Sequence, residues 1–126
     1  MTLTASTIML PLHLQNEVIH PDGQIRAGFG GNHTSRAEFL DAASKALKAA
    51  SKSGVPRVFV RMAFQIGGTD LPDNCELYRF VKRNEVMREG SWGAEFVDCL
   101  APDMPSDVIV SHNRVNAFYA TQLEQV

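Results

Sequence analysis

The sequence predicts an α/β fold built on a parallel sheet. Three observations carry that expectation: a β-prone run from Thr7 to Leu12, an amphipathic helix from Ser35, and a second run, "VPRVFVRMAF", dense in β-branched residues. Strand, helix and strand in that order make a βαβ unit, whose strands are parallel and whose crossover is right-handed.

Each element follows from local chemistry. Pro11 stands near the end of the first run, where a central strand would be leaving its ladder. "HPDGQIRAGFGGNHT" then opens on a Pro-Asp-Gly turn and makes residues 20–34 a loop. Ser35 with Glu38 three residues on has the form of a capping box, and Phe39, Leu40, Ala43, Ala46, Leu47 and Ala50 recur at helical spacing. Gly54 sits where a left-handed cap would end that helix.

Residues 65–106 form a long excursion between strands, a place where function is often found. "QIGGTDLPDN" is turn chemistry, "CELYRFVKRNEVM" sets Leu77, Phe80, Val81 and Met87 on one helical face, and "REGSWGAEFVDCLAPDMPSD" is a loop with a short helical piece. Asp107 to Ser111 is a compact third strand, and "RVNAFYATQLEQV" begins a last helix through Phe118, Leu123 and Val126. A sheet of about three parallel strands with open edges is small for this class. The expectation is therefore a truncated domain, residues 1–126 being the N-terminal portion of a single one.

Composition narrows the function. Of 126 residues, 44% are hydrophobic and 21% charged, and a formal charge of -2 gives no electrostatic reason to expect nucleic acid. The expected partner is a small molecule or a protein; no stretch approaches the roughly 18 apolar residues of a membrane span, and "MTLTASTIML" lacks the basic start of a signal peptide, so the expected location is cytoplasmic. Cys75 and Cys99 lie 24 residues apart without CxxC spacing, which suggests neither a disulfide framework nor a zinc site. "GFGGN" does not directly follow a strand and is not GxGxxG, so no dinucleotide or other cofactor is expected.

Four blocks in order carry a more specific pattern: "IMLPLHLQNEVIHPDG", "GVPRVFVRMAF", "REGSWGAEF" and "DVIVSHNRVNAFYATQLE". Together they resemble the isochorismatase-like hydrolases, the cysteine hydrolases that include nicotinamidases and N-carbamoylsarcosine amidohydrolases. The resemblance covers residues 7–126 and implies a Rossmann-like α/β/α sandwich whose domain runs past Val126. It implies an aspartate base two residues before Gln-Asn, a lysine at the end of the third strand, and a nucleophilic cysteine at the start of a later helix. A thiol needs a base and positive surroundings to ionise, and its tetrahedral intermediate needs donors for the oxyanion.

This chain departs from that pattern twice. His13 stands two residues before Gln15, where the aspartate is expected, and His112 stands six before Phe118, where the lysine is expected. Both should end neighbouring strands and face one crevice at the carboxyl end of the sheet. They are the candidate catalytic residues, with Gln15, Trp92 and Phe118 as candidate substrate contacts. An imidazole can deprotonate a thiol, which keeps hydrolysis of a C–N (amide-type) bond as the leading expectation. The competing one is an inactive member that binds a metabolite or protein. The vinyl-ether-cleaving branch of the family needs the aspartate, which weakens it here. Two histidines also suit a metal, but a site needs further ligands and the family's Asp and paired His are absent from "QIGGTDLPDNCELYRF", so no metal is expected. Open sheet edges lead us to expect a homo-oligomer or a complementary chain that supplies the rest of the domain.

Overall fold

A computed structural model describes residues 6–26, 29 and 32–126. The first five residues of "MTLTASTIML" and the three glycines of "GFGGN" lie outside the described residues.

At the centre is β1 (Val58–Met62), paired in parallel with β2 (Val108–His112) in a register that runs from Val58 opposite Val108 to Met62 opposite His112. The N-terminal run lies parallel along the other edge of β1, but as two isolated bridges, Met9 to Arg57 and Leu12 to Val60, rather than as the continuous strand expected from Thr7 to Leu12. Proline explains the difference. Met9 N donates to Pro56 O (2.9 Å) and His13 N to Val60 O (2.8 Å), while Pro11 accepts from Val60 N (2.9 Å) and has no N–H to give back.

Both faces of the sheet are covered, which is why β1 is apolar throughout its first three residues. On one face, α2 (His33–Lys52) lays Leu47, Phe39, Leu40 and Ala43 against Phe59, Leu14, Ile19, Val97 and Leu100. On the other, Val58, Val60 and Val110 pack against Leu123. A third cluster joins α3 (Glu76–Asn84) to the strand end through Phe64, Tyr78, Val81, Val86 and Met87. Tyr78 and Val81 are the buried residues of that helix, whereas Leu77 is exposed.

Two local expectations are corrected. The cap of α2 is Asn32, whose side chain accepts from Ser35 N (3.0 Å), so Ser35 receives the cap instead of supplying a capping box. Gly54 does take the left-handed conformation, φ +71°, with Val55 N closing on Ala50 O (2.9 Å). The final segment is not the expected helix: it runs through bends and turns to a single 3₁₀ turn, Leu123–Gln125. Its own side chains compete for the backbone: Asn116 accepts from Phe118 N (2.9 Å), and the Thr121 hydroxyl donates to Ala117 O (2.6 Å) and accepts from Leu123 N (3.3 Å).

One buried ion pair fastens the strand starts together. Arg57 and Asp107 form a bidentate pair, Arg57 Nη1 also donates to Leu47 O of α2 (3.2 Å), and Asp107 Oδ2 accepts from Asp103 N (2.6 Å). Removing one partner strands the other charge in the interior. Asp107→Ala is therefore expected to lower unfolding free energy by about 3–5 kcal/mol, read from urea denaturation; a loss below about 1 kcal/mol would show that the pair behaves as a solvated surface bridge.

Candidate active site

The site is assembled where the N-terminal run leaves the sheet. His13 takes a left-handed backbone, φ +55°, which turns the chain away from β1. Histidine is among the few residues that tolerate this region. Two residues on, Gln15 is 0% exposed and its amide closes the open end of β1: Nε2 donates to Met62 O (2.8 Å) and Ala94 O (2.8 Å), and Oε1 accepts from Met62 N (2.9 Å). The short helix α1 (Asn16–Ile19) follows, held to the neighbouring loop by Asn16 Nδ2 on Trp92 O (2.9 Å) and Asn16 N on Glu95 O (2.8 Å). Gly93 lies against the Glu17 carboxylate, and a side chain there would make that carboxylate move aside.

This geometry brings the two histidines together, although their strands are not neighbours as expected. The N-terminal run and β2 flank β1 on opposite edges, and the imidazoles meet across its carboxyl end. Their Nε2 atoms are 2.7 Å apart, with ring centroids at 4.9 Å and an interplanar angle of 21°. The Nδ1 of His112 lies 2.6 Å from Arg114 O, a carbonyl that can only accept. His112 Nδ1 therefore carries a hydrogen. In the neutral pair His112 Nε2 is then an acceptor, His13 Nε2–H donates to it, and the remaining lone pair belongs to His13 Nδ1. Burial, and after it the proximity of His112, hold the His13 pKa below its ordinary value of 6.5.

His13 lines a cavity of ≈ 230 Å³ whose other walls are Val18, Ile25, Met62, Leu77, Met87 and Val115. His13 is the one ionisable group among these linings. None of the six apolar residues was legible as a site in the sequence, because they come from five separate segments that only the fold brings together. The remaining candidates stand apart. Gln15 spends its whole amide on backbone groups. Trp92, 46% exposed, meets His20 edge-on at 4.9 Å and lines a separate cavity with Asn16, Glu95 and Cys99. Phe118, 51% exposed, is outside the His13 cavity. Cys75 packs against the α3 cluster and Cys99 is exposed, so neither thiol lines that cavity. Among the described residues no three His, Cys, Asp or Glu side chains gather as metal ligands would, and no helix is long and apolar enough to cross a membrane.

Comparison with known proteins agrees with this architecture. The family profile of the isochorismatase domain matches residues 7–126. The chain belongs to the isochorismatase family. Its fold is similar to that of a cysteine hydrolase from Pseudomonas syringae pv. phaseolicola 1448A, 24% identical, with a TM-score of 0.77 over 94% of this chain and 52% of the other. It is also similar to an N-carbamoylsarcosine amidase from Thermoplasma acidophilum (21% identity, TM-score 0.69, 96% and 60% of the two chains). An isochorismatase family protein from Desulfovibrio vulgaris subsp. vulgaris str. Hildenborough gives 18% identity and a TM-score of 0.74, over 95% and 59%. The chain thus spans 52–60% of the length of these three relatives. No curated protein matches it. At these identities the likeness establishes the α/β fold with its parallel sheet.

The lowered His13 pKa has a thermodynamic consequence. Between that value and the unfolded value of about 6.5, the unfolded chain binds more protons than the folded one, so stability falls as pH drops through this window and levels off above it. Urea midpoints measured across the window should show this slope, and His13→Asn should flatten it. An unchanged slope in the variant would assign the effect to another group.

Proposed function

We propose that this isochorismatase-family chain forms the N-terminal portion of a single hydrolase domain that cleaves the C–N bond of a small amide. The observation that carries the reading is the hydrogen-bonded His13–His112 pair beside an apolar cavity. His13 Nδ1 is the base. It takes the proton of a nucleophile, and His13 Nε2–H, already directed at His112 Nε2, spreads the charge that develops on the ring. The nucleophile adds to the carbonyl carbon, the C–N bond breaks as His13 returns the proton to the departing amine, and a water deprotonated by His13 then cleaves the acyl–nucleophile bond, releasing the acid while the proton returns to the nucleophile.

A thiol fits this scheme, because a neutral imidazole is basic enough to ionise it. Neither Cys75 nor Cys99 lines the His13 cavity, so in this reading the nucleophile comes from polypeptide outside these residues that completes the domain. The relatives' greater length supports this. The apolar walls favour a compact, uncharged acyl group, since a buried charge without a partner is costly. Two methionines on the wall, Met62 and Met87, allow that group some variation in shape.

Assays of natively purified protein against a panel of small uncharged amides, following release of ammonia or amine, test the reading. His13→Asn should lower kcat/KM by about 10²–10⁴-fold. The acid limb of the wild-type pH profile should fall below the ordinary histidine value of 6.5. Full activity in the variant, or no turnover of any amide by the wild type, would sink it.

A further inference from the structure

The histidine pair is only as directional as the carbonyl that fixes it, and that carbonyl belongs to a loop residue. Immediately after β2, three consecutive residues are tied to the segment that follows β1. Asn113 Nδ2 donates to Asp70 Oδ2 (3.0 Å), Arg114 Nη1 donates to Asp70 O (2.9 Å) and to Asn113 O (2.8 Å), and Val115 N donates to the Tyr78 hydroxyl (3.0 Å). Asp70 is itself anchored, its Oδ1 accepting from Gln65 N (3.0 Å). The turn after β1 therefore holds the turn after β2 in the conformation that sets Arg114 O against His112 Nδ1.

We infer that Asp70 is a positioning residue: through Asn113 and Arg114 it fixes the tautomer of His112, hence that of His13, and so sets which His13 nitrogen is the base. The inference rests on the proposed hydrolytic reading only for its catalytic meaning. Its physical content is a tautomer, which can be measured without turnover. A neutral imidazole in water interconverts between two tautomers, and it holds one only where a partner dictates it. Here Arg114 O dictates the first ring and the first ring dictates the second. Asp70 touches neither ring and lines no part of the His13 cavity.

Long-range ¹H–¹⁵N correlation spectra of the full chain at neutral pH distinguish protonated from unprotonated ring nitrogens. In the wild type, His112 Nδ1 and His13 Nε2 should be protonated, and His112 Nε2 and His13 Nδ1 unprotonated. Asp70→Ala should move all four resonances toward averaged positions as the second tautomers become populated. Asn113→Ala removes only one side-chain bond from a half-buried residue and should shift them the same way to a smaller extent, so it gives the answer if Asp70→Ala fails to fold. The opposite tautomers in the wild type would overturn the inference, as would wild-type spectra from folded Asp70→Ala or, where that variant does not fold, from Asn113→Ala. An absence of amide hydrolysis would leave these spectra unchanged, which separates failure of the functional reading from failure of this one.

Discussion

The last residue of β1 presents its N–H and C=O toward an edge that the N-terminal run has already left. An unmet backbone pair in the interior costs about 1–3 kcal/mol per group. Gln15 answers both groups with one amide and reaches Ala94 O as well. Only a side chain with a donor and an acceptor in one plane does this. Because the chain must fold back to deliver that amide, His13 turns at the strand end, α1 starts immediately, and the Trp92–Ala94 turn is drawn in beside it.

Two imidazoles at hydrogen-bond distance differ from a carboxylate paired with a cation, because which ring nitrogen donates and which accepts depends on the tautomers. A carboxylate base is always ready to accept; a histidine is ready only when its tautomer is correct. In the proposed reaction the polar scaffold behind the pair therefore matters more than it would behind an aspartate. The loop after β2 belongs to no regular element, and its hydrogen bonds run to Asp70 and Tyr78.

Much of the fold was legible because local signals and burial agreed. β1 is apolar on both faces and could only be a central strand, and the left-handed Gly54 marked the end of α2. The misreadings occurred where two local rules competed. Asn32 and Ser35 are both good caps, and the neighbouring backbone decided between them. Phe118, Leu123 and Val126 have helical spacing, but Asn116 and Thr121 bond their own backbone first. The sequence pointed to His13 and His112 through their places relative to Gln15 and Phe118, and the fold brings the two rings together. Asp70, the Arg114 carbonyl and the apolar walls were not legible, since no sequence signal marks a carbonyl or a wall gathered from five segments.

The left-handed turn at His13 limits which residues suit that position. Aspartate, asparagine and histidine are the side-chain-bearing residues most at home in that backbone region. The backbone at this strand end therefore suits an aspartate as well as an imidazole, two residues before Gln15. The scaffold restricts which residues may stand there, and that short menu happens to include the two commonest biological bases. The identity of the side chain here is thus separable from the architecture that holds it.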